Sequence, residues 1–332
     1  MTHNIVARNV NHALSEGLWY LSTVGVRETS RNGPVIVAPG PVVTEYQKPC
    51  ERVLFNTARN ANPFFHLMES LWMLAGRDDL DWPARFNSRF SEYSDNGTNI
   101  NGAYGYRWRR WFGLDQLKDI IKLLRKDPET RRAVLGMWDT SGDLGSTSKD
   151  IPCNTHIYFD LRGGTLNMAV LCRSNDIIWG AYGANAVHMS VLHEFIATAI
   201  GVPVGVYRQY SHNYHLYPEH YDINDLALRR VEDLYKYRGV RPSALVSTSV
   251  ESWLSDLHWF MHEPCGSRVY NDPFFTDTAA PMYAAWSERR FGRGNGVAAA
   301  EDIKAEDWRV ACVEWLRRAE KRKQEREENA KS

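Results

Sequence analysis

Several side chains with reactive or ligand-binding groups follow one another in the middle of the chain, close to the ends of predicted strands. Cys153 comes directly after Asp150-Ile151-Pro152, and Arg173 lies on the strand predicted to pair with the one that follows Cys153. A cysteine becomes a usable nucleophile when a nearby cation lowers the pKa of its thiol, and Arg173 could supply that charge. A buried, unreactive cysteine is the alternative, because free cysteines are often buried. The polar residues that follow are Ser174, Asp176, Asn185, His215 and Tyr217.

The elements that would position these groups can be predicted from hydrophobic periodicity. Apolar residues alternate over 157–161 and again over 166–172, and Gly163-Gly164 between them supplies a tight turn, so a β-hairpin is expected here. Apolar residues at helical spacing predict one helix over 115–125 and another over 186–200. The reactive residues therefore lie on loops and strand ends next to regular structure.

The composition changes after residue 221, which suggests a division of the chain. We expect residues 1–221 to form the main catalytic domain and residues 222–332 to form a C-terminal elaboration packed on it. A charged helix is predicted over 301–328. Its apolar side consists of Trp308, Cys312, Trp315 and Leu316.

The composition as a whole indicates a soluble, intracellular protein. Of the 332 residues, 43% are apolar, and 40 basic side chains balance 40 acidic ones, so strong binding to nucleic acid or to a membrane is not expected. No segment has the apolar length of a membrane span or the pattern of a secretory signal. We therefore expect the protein in the cytoplasm, which would be the host cytoplasm for a viral protein. The cysteines are scattered and lack metal-ligand spacing, so neither disulfides nor a metal site are expected at Cys50, Cys153, Cys172, Cys265 and Cys312.

Six short motifs follow one another between residues 69 and 220. They are Glu69-x-x-Trp72-x-Leu74, Tyr104-Gly105-x-x-Trp108-Arg109, Asp127-Pro128-Glu129-Thr130-Arg131-Arg132, Ile151-Pro152-Cys153, Arg173-Ser174-x-Asp176 and His215-x-Tyr217-x-x-His220. In type, order and spacing they resemble the motifs of the thymidylate synthase family, and the resemblance covers most of residues 25–221. It implies an α/β fold of the α+β type, with helices on one face of a mixed sheet. It also implies a homodimer formed through the other face, and a helical C-terminal extension would be added to this core.

The resemblance further implies a pyrimidine nucleoside monophosphate as substrate and methylenetetrahydrofolate as co-substrate, with no metal. The Cys153 thiolate would add to C6 of the ring and so activate C5 towards the one-carbon unit. Tyr104 would help to remove the C5 proton, and Glu69 would relay protons at the ring carbonyl and the folate.

The binding roles are also implied residue by residue. The phosphate would be bound by Arg31, Arg131, Arg132, Arg173 and Ser174, with the Arg131-Arg132 pair reaching the partner subunit's site in a dimer. His215 and Tyr217 would hold the sugar, and Asn185 would bind the base. Glu69, Trp72, Phe90 and Asp176 would contact the folate.

Four departures from the synthase pattern point to a different product. No tryptophan occurs between Trp82 and Trp108, Asn154 replaces the usual histidine after the nucleophile, the C-terminus is charged, and the segment up to Asn185 is one residue longer. A less shielded exocyclic methylene would react with water, which favours 5-hydroxymethylation over methylation.

Several alternatives remain open at this stage. The carboxamide of Asn185 favours uracil, and hence dUMP, while dCMP or CMP is the alternative. A thymidylate synthase that makes dTMP is a second alternative. The third is a non-catalytic nucleotide-binding or nucleic-acid-binding protein on the same scaffold, with Arg107, Arg109 and Arg110 as basic contacts.

Overall fold

The computed structural model describes residues 2–264 and 268–330, and eight strands of this part of the chain form one mixed sheet. The strands are β1 (His3–Ala7), β2 (Val26–Ser30), β3 (Gly33–Val37), β4 (Val42–Tyr46), β5 (Val134–Gly136), β6 (Asn154–Arg162), β7 (Thr165–Asp176) and β8 (Val204–Leu216). Cys265 lies outside the described residues, so its predicted free thiol stays a prediction.

The sheet runs in the order β1-β4-β8-β7-β6-β5, and β3 pairs with both β2 and β8. β1 is parallel to β4 and β7 is parallel to β8, whereas the other neighbouring pairs are antiparallel. The predicted mixed α/β architecture is thereby confirmed. The long strands β7 and β8 lie at the centre, and their pairing brings Asp176 opposite His215.

The predicted hairpin is confirmed as β6 and β7. Gly163 and Gly164 both have positive φ, at 59° and 75°, which residues with a Cβ rarely adopt and which tight hairpin turns favour. The alternating residues 166, 168, 170 and 172 of β7 are buried, so one face of the hairpin packs into the core.

The helices are α1 (Val10–Val24), α2 (Pro63–Leu74), α3 (Asp81–Phe86), α4 (Tyr104–Tyr106), α5 (Gln116–Lys126), α6 (Thr140–Asp143), α7 (Asn185–Ile200), α8 (Leu226–Arg229), α9 (Leu234–Tyr237), α10 (Val250–His262), α11 (Ala280–Arg290), α12 (Val297–Glu301) and α13 (Glu306–Asn329). Short 3₁₀ and π-helical segments occur as well, at Ser88–Tyr93 (3₁₀) and at Arg107–Trp111, Ile177–Ala184 and Phe275–Ala279 (π). The helices predicted over 115–125 and 186–200 are confirmed as α5 and α7. Asp115 caps α5 by accepting a hydrogen bond from the backbone N–H of Lys118.

The C-terminal helix begins later than the sequence predicts. The predicted span of 301–328 is divided between the end of α12 and α13, which starts at Glu306. The backbone N–H of Lys304 donates to the carbonyl oxygen of Asp277, 2.8 Å away, and Ile303 is fully buried. This interruption lets the chain pack on the preceding helices before α13 continues.

One cluster of buried apolar side chains extends from Ile5 to Leu316 and includes residues on both sides of position 221. α10 and α13 contact α2, and the ring of Phe64 on α2 lies 5.9 Å from that of Trp315. The C-terminal helices thus support the helix that carries Glu69. The division into residues 1–221 and 222–332 stays a prediction. Among the described residues, every helix is too short or too polar to span a bilayer.

Candidate functional site

The predicted nucleophile Cys153 lies immediately before β6, in a loop that Tyr104 contacts. The hydroxyl oxygen of Tyr104 accepts hydrogen bonds from the backbone N–H groups of Cys153 and Asn154, both at 3.2 Å. Burial is the main cause that raises the pKa of Tyr104 well above its usual value, so the hydroxyl keeps its proton. Tyr104 can therefore accept from the loop and still donate to a neighbour.

The Arg173 guanidinium, on the neighbouring strand β7, forms hydrogen bonds to the same loop. Its Nε donates to the carbonyl oxygen of Pro152 at 2.9 Å, and one terminal nitrogen donates to that of Ile151 at 3.0 Å. The backbone N–H of Arg173 also donates to the Cys153 carbonyl oxygen, 2.8 Å away. A planar guanidinium has five N–H donors, so these contacts leave donors that can bind a phosphate.

The protonation of the Cys153 thiol depends on opposing influences. Burial raises the pKa of the thiol above its usual value, the charges of Arg173 and Arg31 lower it, and that of Asp150 raises it. Burial prevails, so Cys153 is a neutral thiol at neutral pH. The predicted effect of Arg173 on the thiol is present, but it is smaller than the cost of burying a thiolate.

Four amide and hydroxyl side chains form a continuous chain of hydrogen bonds behind the nucleophile. Asn154 Nδ2 donates to Asn185 Oδ1 at 2.9 Å, and Asn185 Nδ2 donates to Asn175 Oδ1 at 3.1 Å. Asn175 Nδ2 then donates to the Ser211 hydroxyl at 2.8 Å. Both ends of the Asn185 amide are thus engaged, which fixes its orientation. Each end keeps one further donor or acceptor position for a ligand.

The segment that precedes Asn185 is π-helical, from Ile177 to Ala184. Such a segment accommodates a residue that a regular α-helix could not, and π-bulges are frequent at functional sites. Tyr182 and Gly183 have non-helical backbone angles, so the segment is kinked just before Asn185. A Cβ on Gly180 would lie 2.4 Å from Asn175 Oδ1 and 3.4 Å from Asn185 Nδ2. The absence of a side chain at Gly180 therefore leaves room for both amides.

Asp176 lies at the start of this π-helical segment. Its Oδ1 accepts from the backbone N–H groups of Ile178 and Trp179, at 2.9 and 2.5 Å. Burial raises the pKa of Asp176, while these hydrogen bonds and the His215 and Arg59 side chains oppose the shift. The indole of Trp179 next to it is 47% exposed and offers a flat apolar surface.

Arg59 supports this segment and was not identified from the sequence. Its Nε and Nη2 donate to the carbonyl oxygen of Ile178, at 3.0 and 2.8 Å. The guanidinium carbon lies 4.9 Å from the ring centroid of Trp179. No motif surrounds Arg59, so only the folded chain reveals that it fixes the segment leading to Asn185.

The predicted sugar-binding residues lie at the end of β8. His215 is buried, and its ring lies 5.1 Å from the ring of Tyr217 in a T-shaped arrangement. Asn32 Nδ2 lies 3.4 Å from the hydroxyl of Tyr217, to which it donates. This contact brings the β2–β3 turn, which carries Arg31, to the same side of the molecule.

The predicted folate-contacting residues of α2 are partly or fully buried. Burial, followed by the charge of Asp150, raises the pKa of Glu69 well above its usual value. The Trp72 indole is 2% exposed and donates to the Asp79 backbone carbonyl oxygen at 3.1 Å. Its ring lies 6.3 Å from that of Phe90 on the 3₁₀ segment. Phe90 thus packs edge-on against Trp72, and burial favours the neutral form of the Glu69 carboxyl group.

The remaining predicted phosphate ligands are more exposed. Arg131 and Arg132 are exposed and directly precede edge strand β5, and Ser174 lies next to Arg173 on β7. The exposed positions leave Arg131 and Arg132 free to reach outwards, as a shared site would need.

Asp150 is a further site residue to which the sequence analysis assigned no role, although it adjoins the nucleophile motif. Its Oδ2 accepts from the backbone N–H of Gly102 at 2.9 Å, which joins the nucleophile loop to the segment that carries Tyr104. Its charge acts on Cys153, Glu69 and Tyr104. Asp150 therefore lies within electrostatic range of all three groups.

The chain is similar to known proteins over most of its length. The thymidylate synthase family model matches residues 25–238. A deoxyuridylate hydroxymethyltransferase of Pseudomonas phage M6 is 47% identical over 331 residues, which cover 95% of this chain and 93% of the relative. The protein of the same name from Bacillus phage SP01 is 38% identical over 211 residues, covering 60% of this chain and 54% of the relative. A third protein of that name, from Delftia phage PhiW-14, is 30% identical over 236 residues, or 67% and 65% of the two chains.

Proposed function

Because the chain belongs to the thymidylate synthase family, we propose that it transfers a one-carbon unit to C5 of dUMP and releases 5-hydroxymethyl-dUMP. The observation that carries the proposal is the similarity to the phage M6 deoxyuridylate hydroxymethyltransferase, which extends over 95% of this chain. The phage origin of the relatives supports a reaction in the cytoplasm of an infected bacterium.

Cys153 is the proposed nucleophile. Its thiolate adds to C6 of the pyrimidine, and the electron pair of the C5–C6 bond becomes available at C5 for attack on the one-carbon unit. The loop contacts of Tyr104 and Arg173 hold the sulfur in place. Since burial keeps the thiol neutral in the free protein, formation of the thiolate is coupled to substrate binding.

The one-carbon unit comes from methylenetetrahydrofolate, which the family implies as co-substrate. Flat rings bind well to apolar faces. The partly exposed Trp179 lies in the segment that follows Asp176, and the partly exposed Tyr93 lies in the same 3₁₀ segment as Phe90. Asp176 offers a carboxylate to the ring nitrogens of a pterin. These residues fit a folate, with Glu69 and Trp72 behind them on α2.

Uracil is the proposed base because of the orientation of the Asn185 amide. Uracil presents an acceptor at O4 and a donor at N3, and an amide can complement both. The bonds to Asn154 and Asn175 hold the Asn185 oxygen and nitrogen in defined positions. A uracil ring would bond to the second lone pair of Asn185 Oδ1 and the second N–H of Asn185 Nδ2.

Water is the proposed final reactant. In place of a tryptophan between Trp82 and Trp108, the chain has the 3₁₀ segment Ser88–Tyr93, whose Tyr93 side chain is 48% exposed. Hydride transfer requires a closed, dry site, and this segment provides a more open cover. An exocyclic methylene on the pyrimidine would therefore be captured by water.

A homodimer with shared phosphate ligands is part of the proposal. On the sheet face away from the helices, Val6 and Tyr158 are exposed, as is Val134, which pairs with Tyr158. Exposed apolar side chains on a sheet face are suited to burial against a second copy. Arg131 and Arg132 next to β5 would then reach the partner's nucleotide, joining Arg31, Arg173 and Ser174, while His215 and Tyr217 hold the sugar.

The test is to supply dUMP and methylenetetrahydrofolate to the purified protein and to identify the product by mass. We expect 5-hydroxymethyl-dUMP without the absorbance increase of dihydrofolate, and no product from the Cys153→Ala variant. Parallel reactions with dCMP and CMP test the base. Formation of dTMP with stoichiometric dihydrofolate would contradict the proposed product, and a preference for dCMP would contradict the proposed base.

A further inference from the structure

Glu69 and His188 face each other where α2 packs against α7. Nε2 of His188 lies 3.2 Å from Oε2 of Glu69, and the two side chains are 3% and 11% exposed. Within residues 2–264 and 268–330, both atoms are buried and neither forms a hydrogen bond of normal geometry, this contact included. Buried polar atoms are normally paired, and each atom of this 3.2 Å contact is the available partner of the other.

The charges around this contact favour a neutral pair. Burial raises the pKa of Glu69 well above its usual value and lowers that of His188 to about 3, against the opposing effect of the His66 carbonyl group. The His66 ring lies edge-on to that of His188 at 6.3 Å, and burial lowers the His66 pKa as well. Burial thus favours the neutral form of both groups, with the proton on Glu69 rather than on His188.

We propose that His188 is a positioning residue for the water-capture step: it holds the Glu69 carboxyl group through Nε2 and takes up its proton when Glu69 accepts one from water. This inference rests on the proposed function, because only the hydroxymethyl product needs such a step. Capture by hydride releases no proton, whereas capture by water does. A proton acceptor behind Glu69 thus favours the water branch.

The proposed step balances without an oxidant or a reductant. The water oxygen bonds to the exocyclic methylene carbon, and the methylene π pair moves into the ring to form an enolate at O4. The water proton passes to Glu69 while the original Glu69 proton passes to His188 Nε2. The enolate then forms the C5–C6 double bond and breaks the bond from C6 to sulfur, which releases the Cys153 thiolate. The proton on His188 returns through Glu69 and neutralises the thiolate.

Three variants separate proton uptake from packing. His188→Leu removes the acceptor, whereas His188→Gln keeps an amide oxygen that accepts a hydrogen bond but is not basic. His193→Gln is the matched control, because His193 is a fully buried histidine of the same helix whose Nε2 contacts the Leu166 carbonyl oxygen instead. Dissociation constants for dUMP and melting temperatures show which variants keep the folded site.

We expect kcat to fall about tenfold or more in both His188 variants, with KM for dUMP changed by less than about threefold, since proton transfer and not binding is affected. The His193→Gln variant should retain kcat. Added 2-mercaptoethanol should capture more of the methylene intermediate as a thioether in His188→Leu than in the natural protein, because a thiolate needs no base. If His188→Leu does not fold, His188→Gln carries the same two measurements.

A double variant shows whether His188 acts through Glu69. If it does, Glu69→Gln combined with His188→Gln should lose no more activity than Glu69→Gln alone, whereas independent effects would multiply. The proposal is overturned if the folded His188 variants keep the natural kcat and the natural ratio of water product to thioether. The product of the natural protein is identified before any variant is compared. Release of dTMP, or of no product, would contradict the proposed function and not the role of His188.

Discussion

At the residue scale, the environment of Cys153 sets when the nucleophile forms. The thiolate is the reactive form, and burial raises the thiol pKa although Arg173 and Arg31 lie close enough to lower it. A phosphate bound by these arginines would reduce their effect on the sulfur, so the approach of the pyrimidine ring itself must accompany deprotonation. The free enzyme would then be protected from alkylation and oxidation at neutral pH.

The pH dependence of alkylation tests this arrangement. Because the pKa is raised, the thiolate fraction at neutral pH is small, and the rate of Cys153 alkylation by iodoacetamide should still increase above about pH 8.5, the usual cysteine value. Arg173→Gln removes a charge that lowers the pKa, so its alkylation should be slower at each pH. Peptide mass spectrometry assigns the modified cysteine. A rate that is already constant below about pH 8 would contradict the raised pKa.

The second residue-scale prediction concerns the base. Asn185→Asp should shift the preference from dUMP to dCMP, because a carboxylate accepts from the cytosine amino group but cannot donate to O4 of uracil. The new oxygen would also face Asn175 Oδ1, which now accepts from Asn185 Nδ2 at 3.1 Å. Asn175 can reverse its amide, since its other partner is the Ser211 hydroxyl, which can donate as well as accept.

We expect the ratio of kcat/KM for dCMP to that for dUMP to rise at least about tenfold in Asn185→Asp, in proportion to one exchanged hydrogen-bond pair. Competitive assays with both nucleotides measure this ratio directly. A natural protein that already prefers dCMP, or a variant with an unchanged ratio, would show that Asn185 does not read the base.

At the element scale, the π-helical segment Ile177–Ala184 determines where Asn185 lies. Gly180→Ala places a Cβ 2.4 Å from Asn175 Oδ1, so the Asn175 and Asn185 amides must move apart. We expect KM for dUMP to rise about tenfold, from the loss of an oriented base contact, with a smaller effect on melting temperature. Gly294→Ala is the control, because its Cβ would lie 3.6 Å from a flexible glutamate oxygen. Equal KM values in the two variants would contradict a role for the segment in base binding.

The same segment shows what the sequence could and could not predict. The β6–β7 hairpin was predictable because alternation and a Gly-Gly turn are local signals, and α5 and α7 followed from helical periodicity. The motif residues were predictable from their order along the chain. His188 was not identified from the sequence, because its contact with Glu69 depends on how α7 packs on α2. Arg59 lacked any local signal, since its partner Ile178 is more than a hundred residues away.

At the scale of the whole molecule, the sheet separates two functions. Its inner face packs on α7, which carries His188, and α2, which carries Glu69, packs on α7. α10 and α13 in turn contact α2. Its outer face presents Tyr158 and Val134, with Arg131 and Arg132 just beyond the edge. Among residues 2–264 and 268–330, the side chains of these two arginines form no hydrogen bond or ion pair, whereas a dimer through the outer face would offer them the partner's nucleotide. The site would then be complete only in the dimer.

Mixing two inactive variants tests whether the site is complete only in the dimer. Arg131→Ala should weaken phosphate binding in the partner's site, and Cys153→Ala should remove the nucleophile, so each homodimer should have little activity. In a hybrid dimer, the subunit with an intact Cys153 receives an intact Arg131 from its Cys153→Ala partner, and one of the two sites is whole. After subunit exchange of an equal mixture, about half of the dimers are hybrids with one whole site each, so roughly a quarter of the natural activity should return. Exchange is followed independently with two affinity tags on the two variants. Tagged hybrids that form but regain no activity would show that each subunit builds its phosphate site alone.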